Sequence, residues 1–118
     1  MPIERIPPGY GDGAAALLQS TTPLLVFKHS TMCMTSTFAH HEVEAFAEEH
    51  PECRVVLVDV LVQRVLARAI GNEVGIPHAS PQALLVVEGR VCWHASHGRI
   101  TAPAIASALS YAAASHPA

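Results

Sequence analysis

Apolar positions along this chain fall into continuous runs and into helical stripes. Leu24 to Lys28 is an apolar run closing on a charge, and Arg54 to Asp59 repeats the pattern. Such runs predict strands covered on both faces, because a strand with one wet face carries polar residues at every second position. Between the runs, Ala39, Val43, Phe46 and Ala47 recur at helical spacing opposite Glu42, Glu44, Glu48 and Glu49. This predicts a helix from about Cys33 to His50, with Ser30 and Thr31 ahead of it offering N-cap oxygens. After the second strand, Val62, Val65, Leu66, Ala69 and Ile70 follow the spacing of a further helix, and Gly71 is placed to cap its C-terminus.

Upstream, the alanines and leucines between Gly11 and Ser20 predict a short helix stopped before Pro23, and Pro2 to Ile6 can add an edge strand. Downstream of Ile76 and Pro77, Ala83 to Val87 and Val91 to Ala95 are two strands separated by Glu88, Gly89 and Arg90. They predict a hairpin, since Gly89 supplies the positive φ of a tight turn. Thr101 caps a final helix whose face is Ile105, Ala108, Leu109 and Ala112, with Ile100 placed to staple against Ile105. The expected fold class is α/β: a mixed four- to five-stranded sheet with helices on both faces and a right-handed crossover between its parallel strands. That is the element order of a thioredoxin-like domain, and 118 residues suffice for one such domain over 1–118.

Composition narrows the function. The chain is 50% hydrophobic and 14% charged, which argues for a compact domain, and its seven Lys plus Arg against a formal charge of −3 leave no basic stripe for nucleic acid. No apolar run reaches the roughly 18 residues of a membrane span, and the N-terminus lacks the apolar stretch of a signal peptide. The expectation is a cytoplasmic protein with neither a nucleic-acid nor a membrane partner. Three cysteines, Cys33, Cys53 and Cys92, cannot all pair within one chain, so at least one thiol stays free.

Cys33 follows the first buried strand and opens a helix, where unpaired N–H groups and the helix dipole favour a thiolate over the free thiol with its pKa of about 8.5. The plain alternative is an inert buried cysteine. The turn reads Cys33-Met34-Thr35-Ser36, so a hydroxyl stands where a C-x-x-C motif would hold its resolving thiol, and it cannot close a disulfide. Ser36 either donates to the Cys33 sulfur or is satisfied by the preceding turn. Ser80-Pro81 lies just before a strand, where thioredoxin-like folds put a cis proline facing the reactive cysteine; a cis bond there would present the Ser80 backbone to a bound thiol compound.

The segments FKHSTMCMTS, HASPQALLV and WHASHGRIT, in that order, resemble the monothiol bacilliredoxin family, also called YtxJ-like proteins. Similar segments there read FKHST, C-x-x-S, H-x-SPQ and W-H-x-SH-x-x-IT, and the resemblance covers Leu24 to Thr101. It implies a thioredoxin-like fold and a thiol-disulfide oxidoreductase that reverses S-bacillithiolation. Cys33 would attack a protein mixed disulfide and take the bacillithiol onto itself, and a low-molecular-weight thiol would reset it. By the same resemblance Ser36 stands at the resolving position, Pro81 is the cis proline, and Ser80 and Gln82 help to hold the thiol cosubstrate. The implied partners are S-thiolated client proteins and bacillithiol or another small thiol, with no permanently bound cofactor. The family usually has proline immediately after the reactive cysteine; this chain has Met34, which leaves the first helical turn freer and adds a donor.

Bacillithiol carries a malate, whose carboxylates favour a cationic rim. Lys28 is the only lysine, and His97 and Arg99 follow the hairpin as further candidates; for Lys28 the alternative is a solvated strand end. A metal site of Cys33 with His29, His78, His94 and His97 fits no compact zinc spacing, and none is expected. His40 and His41 read as a surface pair with Glu44. Cys53 and Cys92 lack a helix N-terminus and are expected to be structural, although a distant cysteine could act as resolver. Two other functions fit a monothiol chain of this fold: a carrier of a 2Fe-2S cluster ligated with an external thiol, and a non-catalytic interaction module.

Overall fold

The structure, a computed structural model, describes residues 3–7 and 13–115. The elements are β1 (Ile3–Arg5), α1 (Ala14–Leu18), β2 (Leu24–His29), α2 (Met34–Glu49), β3 (Arg54–Asp59), α3 (Arg64–Val74), β4 (Gln82–Val87), β5 (Arg90–Ser96), a 3₁₀ turn (His97–Arg99) and α4 (Ala102–Ser115). The sheet runs in the order β1-β3-β2-β4-β5. Strands β1 and β2 lie parallel to β3, and β4 is antiparallel to both β2 and β5. The short N-terminal strand brings the sheet to five, its Ile3 pairing with Val55.

The unbroken apolar runs have a simple cause, since both sheet faces are covered. Leu25, Phe27, Val55, Leu57, Ala83 and Leu85 face α2 and α4, meeting Val43, Phe46, Ile105 and Leu109. Leu24, Val26, Val56, Val58, Leu84 and Val86 face α1 and α3, meeting Leu17, Leu18, Leu66 and Ile70. Each of these valine, leucine, isoleucine and phenylalanine side chains contributes about 1.5–3 kcal/mol by leaving water. Strand alternation therefore decides on which face every other side chain of β2 and β4 emerges.

Several boundaries differ from the expected ones. The first helix is only Ala14–Leu18; residues 11 and 12 of its expected span lie outside the described residues, as does Pro2 of the edge strand. Helix α2 begins at Met34, with extended Cys33 (φ −120°, ψ 122°) as its N-cap and His50 as its C-cap. Neither Ser30 nor Thr31 caps it, because the chain needs two more residues to turn from β2 into the helix. Helix α3 begins at Arg64, and Leu66, Ala67, Ile70 and Gly71 form its buried stripe. Val62 and Val65, expected on that stripe, are exposed, because Asp59 ties Leu61 N–H and Val62 N–H into a turn that delays the helix.

Gly71 is not the cap of α3; Gly75 is, at φ 72°. Gly71 instead permits a close approach, since a Cβ there would stand 3.0 Å from the Ile76 carbonyl oxygen. The hairpin turn is two residues, Glu88 (φ 53°) and Gly89 (φ 78°), and Arg90 already pairs with Val87. Helix α4 is capped as expected: Thr101 Oγ1 accepts from Ala104 N–H at 3.2 Å, and Glu42 of α2 accepts from Ala102 N–H at 2.9 Å. Ile100 and Ile105 are both buried in the α2–α4 core, the staple the sequence predicted. Among the described residues no helix is long and apolar enough to cross a membrane.

Candidate active site

Cys33 is the N-cap of α2 at the end of the loop leaving β2, and it is partly exposed. Its N–H donates to Ser30 C=O at 3.2 Å, and its own C=O accepts from Ser36 N–H at 3.1 Å and Thr37 N–H at 3.2 Å. Cys33 thus stands at the helix end whose unpaired N–H groups concentrate positive potential, although its side chain makes no capping hydrogen bond to that turn. The next turn carries Ser36, wholly buried. Its Oγ accepts from Ser30 N–H at 2.9 Å and lies 2.8 Å from His29 Nδ1. The hydroxyl is therefore satisfied by the β2–α2 loop and not by the preceding turn.

His29 is the last residue of β2 and lies on the α2 face. Its ring is 5.4 Å from that of Phe27 and 4.7 Å from that of His40. Burial and the neighbouring His40 hold the His29 imidazole below the usual histidine range, with Asp59 pulling weakly the other way. Burial likewise lowers His40, so His40 is a ring packed beside His29 and not the surface residue its charged neighbours suggested. The apolar run alone ends at Lys28 and gives no sign that His29 pairs with Ser36. The available signal was the polar residue closing a strand buried along its whole length.

The Ser80-Pro81 bond is cis. Lys28 pairs with Gln82 across β2 and β4, so Pro81 lies at the same sheet end as His29 and the loop to Cys33. The N–H of His97 donates to Pro81 C=O at 3.2 Å, bringing the 3₁₀ turn beside the cis bond. His97 and Arg99 are exposed and line a depression of about 430 Å3. Two buried oxygens next to the cis bond, Ser80 Oγ and Gln82 Oε1, have no partner among the described residues.

Lys28 is neither a solvated strand end nor an exposed anion contact. It is wholly buried, because alternation along β2 turns it to the α3 side, opposite His29. Its Nζ lies 3.2 Å from His78 Nδ1, and burial lowers its pKa to about 8. Gln82 emerges on the same side and donates from Nε2 to Pro77 C=O at 3.0 Å. Both side chains therefore anchor the segment that leads to the cis bond. His29 and His78 consequently lie on opposite faces of the sheet and cannot share a metal with Cys33.

The other thiols sit in ordinary surroundings. Cys53 is buried, and burial pushes it up to about 12; Cys92 is exposed on β5, and its partial burial raises it as well. Exposed apolar side chains gather instead near Cys33. Met32, Met34 and Phe38 flank it, while Leu61, Val62 and Val65 come from the β3–α3 loop and the first turn of α3. That loop adjoins β2 through the bond from Val60 N–H to His29 C=O at 3.0 Å. Helical periodicity places Val62 and Val65 in the core, so this rim is not visible from spacing alone.

Comparison with known proteins agrees with this architecture. A solved protein described as a candidate oxidoreductase with a thioredoxin fold is 25% identical, with a TM-score of 0.80 over 91% of this chain and 93% of its own. A mutant thioredoxin from Halobacterium salinarum NRC-1 is 16% identical with a TM-score of 0.71, covering 92% and 88% of the two chains. Mitochondrial thioredoxin 3 from Saccharomyces cerevisiae in its oxidized form is 15% identical with a TM-score of 0.67, covering 92% and 94%. These likenesses establish the thioredoxin fold. The family model of monothiol bacilliredoxin BrxC matches residues 13–105, most of the chain. With that match, the chain belongs to the monothiol bacilliredoxin family, thioredoxin-like oxidoreductases whose function is thiol redox chemistry.

Proposed function

We propose that this protein removes bacillithiol from S-bacillithiolated client proteins, with Cys33 as the nucleophile, and that it acts in the cytoplasm. The observation that carries the reading is the position of Cys33 as N-cap of α2, at the sheet end that holds the cis Ser80-Pro81 bond, in a chain of this family. The Cys33 thiolate attacks the bacillithiol sulfur of the mixed disulfide. A Cys33–bacillithiol disulfide forms, and the client leaves as its thiolate. A second bacillithiol thiolate, or another small thiol, attacks that adduct and departs as a disulfide with the first, returning Cys33 as a thiolate. Ser36 has no thiol with which to resolve the adduct internally, so the second step is intermolecular.

The surrounding residues have matching roles in this reading. The Ser80 backbone and its unpaired Oγ flank the cis bond and hold the thiol cosubstrate, while Gln82 keeps their segment in place. His97 and Arg99 are the exposed cationic candidates for the malate carboxylates. The apolar side chains around Cys33 are the contact surface for client proteins.

The test is intact mass spectrometry of the reduced protein and of Cys33→Ala after incubation with a bacillithiolated model protein. One bacillithiol adduct on the wild type, its loss from the substrate and no transfer to the variant are expected. No transfer to the wild type at neutral pH overturns the reading.

A further inference from the structure

Lys28 is a buried cation without a counter-charge. Among the described residues no carboxylate forms an ion pair with its ammonium, and its hydrogen-bond partner is the uncharged ring of His78, at 3.2 Å. Gln82, opposite it across β2 and β4, brings only a neutral amide. An unpaired buried charge is costly, so the surface above Lys28 is where a compensating anion would be favoured.

That surface is concave. His78 is exposed and lines an open depression of about 460 Å3 with Arg68 and Asn72. Arg68 and Asn72 stand four residues apart, on one face of α3. Gly71 lets the returning chain run close to that helix, since a Cβ there would stand 3.8 Å from His78 Cβ.

The chemistry of the depression is that of a donor set. An ammonium only donates, so Lys28 occupies the His78 Nδ1 lone pair and leaves the neutral imidazole its proton on Nε2. His78 Nε2–H, the Arg68 guanidinium and the Asn72 amide therefore supply N–H groups around one space, with the Lys28 charge behind them. The charged groups that act on His78 are Lys28 and Arg68, both cations, and with burial they keep the imidazole neutral. No carboxylate lines the depression; Glu73, the acidic residue of α3, lines another one with Val74 and Ile76.

We infer that this depression binds a small oxyanion, a phosphate or a carboxylate, through Arg68, His78 and Asn72, with Lys28 as the charge behind them. It lies on the sheet face opposite α2, and the inference does not depend on the chemistry of Cys33.

The probes are inorganic phosphate and malate, each titrated at constant ionic strength with chloride as the balancing ion and followed through the amide NMR shifts of Asn72 and His78. At least one should saturate below about 10 mM, as suits a small ligand held by few contacts. The one that saturates at the lower concentration identifies the group as phosphate or carboxylate. Arg68→Gln, an exposed change with no packing to lose, should weaken binding by roughly tenfold, the loss of a hydrogen bond to a charged group. Lys28→Met should weaken it several-fold, with a thermal melt to show that the variant is folded. Arg90→Gln, which removes an exposed cation from the hairpin, should leave it unchanged. Malate stays fully ionised from neutral pH upward, so its affinity should fall as pH rises past about 8 and Lys28 loses its proton, and Lys28→Met should lack that fall. Shifts that grow linearly with both anions, equal affinity in Arg68→Gln and the parent, as large a loss in Arg90→Gln, or malate binding that persists undiminished in alkali would each overturn the inference.

Discussion

Lys28 Nζ lies 3.2 Å from His78 Nδ1 on the sheet face opposite Cys33's helix, and the lysine is wholly buried. Together with the bond from Gln82 Nε2 to Pro77 C=O, this contact ties the segment before the cis bond to the centre of the sheet. The only lysine of the chain thus acts beneath the candidate site and not on its rim.

Burial gives Lys28 a signature in the dependence of stability on pH. Its pKa falls from 10.5 to about 8 on folding, so between those values the unfolded chain holds a proton that the native state has released. Stability contributed through this residue is lowest below about pH 8 and rises as pH climbs toward 10.5. Lys28→Met should abolish that rise. It should also stabilise the protein at neutral pH by up to roughly 3 kcal/mol, less the lost contact with His78. Urea unfolding of both proteins at neutral and alkaline pH measures the two effects, and an unchanged pH dependence in the variant would count against a depressed Lys28.

The three thiols should separate by reactivity. Cys53 is buried and pushed up to about 12, whereas Cys92 is exposed. In the native protein at neutral pH, iodoacetamide should modify Cys33 and Cys92 and reach Cys53 at least about a hundredfold more slowly. Peptide mapping after timed quenching gives the order. Cys53→Ala and Cys92→Ala should leave transfer of the small thiol to Cys33 unchanged, and slowed cycling in either variant would reveal a distant resolver.

Two glycines, Gly71 inside α3 and Gly75 capping it, should answer alanine in the same unusual way. Within a helix, glycine to alanine ordinarily stabilises by about 1 kcal/mol. At Gly71 the new Cβ would stand 3.0 Å from the Ile76 carbonyl oxygen, a backbone atom on the segment leading to the cis bond. At Gly75 the backbone is left-handed, φ 72°. Both substitutions should lower stability by about 1 kcal/mol in denaturant titrations; a gain at Gly71 would mean that the Ile76 loop yields easily.

Met34→Pro should be tolerated despite lying in a helix. Met34 is the first residue of α2, and the preceding Cys33 is already extended at φ −120°, ψ 122°, the conformation a following proline demands. Thermal melts should show stability unchanged or raised by up to about 1 kcal/mol. Cys33 alkylation should stay within roughly threefold, because the substitution removes one N–H at the helix N-terminus and leaves the others of the first turn in place. A large loss of stability would show that the first turn of α2 departs from proline geometry.

Much of the fold was legible because periodicity records burial. The continuous runs of β2 and β3 report a sheet covered on both faces, the stripe of Ala39, Val43 and Phe46 reports the buried side of α2, and Ser80-Pro81 and Cys33 report their places in the element order. Periodicity misled at Val62 and Val65, since it counts apolar residues without knowing where the Asp59 turn lets the helix begin.

By itself, then, the sequence determined which segments are buried, in what order they come and which thiol opens a helix, because these follow from local spacing and residue type. Only the tertiary structure decided what lies across the sheet. Alternation sends His29 and Lys28 to opposite faces, one to Ser36 and the other to His78, residues seven and fifty positions away. Partners at that distance are set by strand register and crossover geometry, which arise from the packing of the whole chain and leave no local trace.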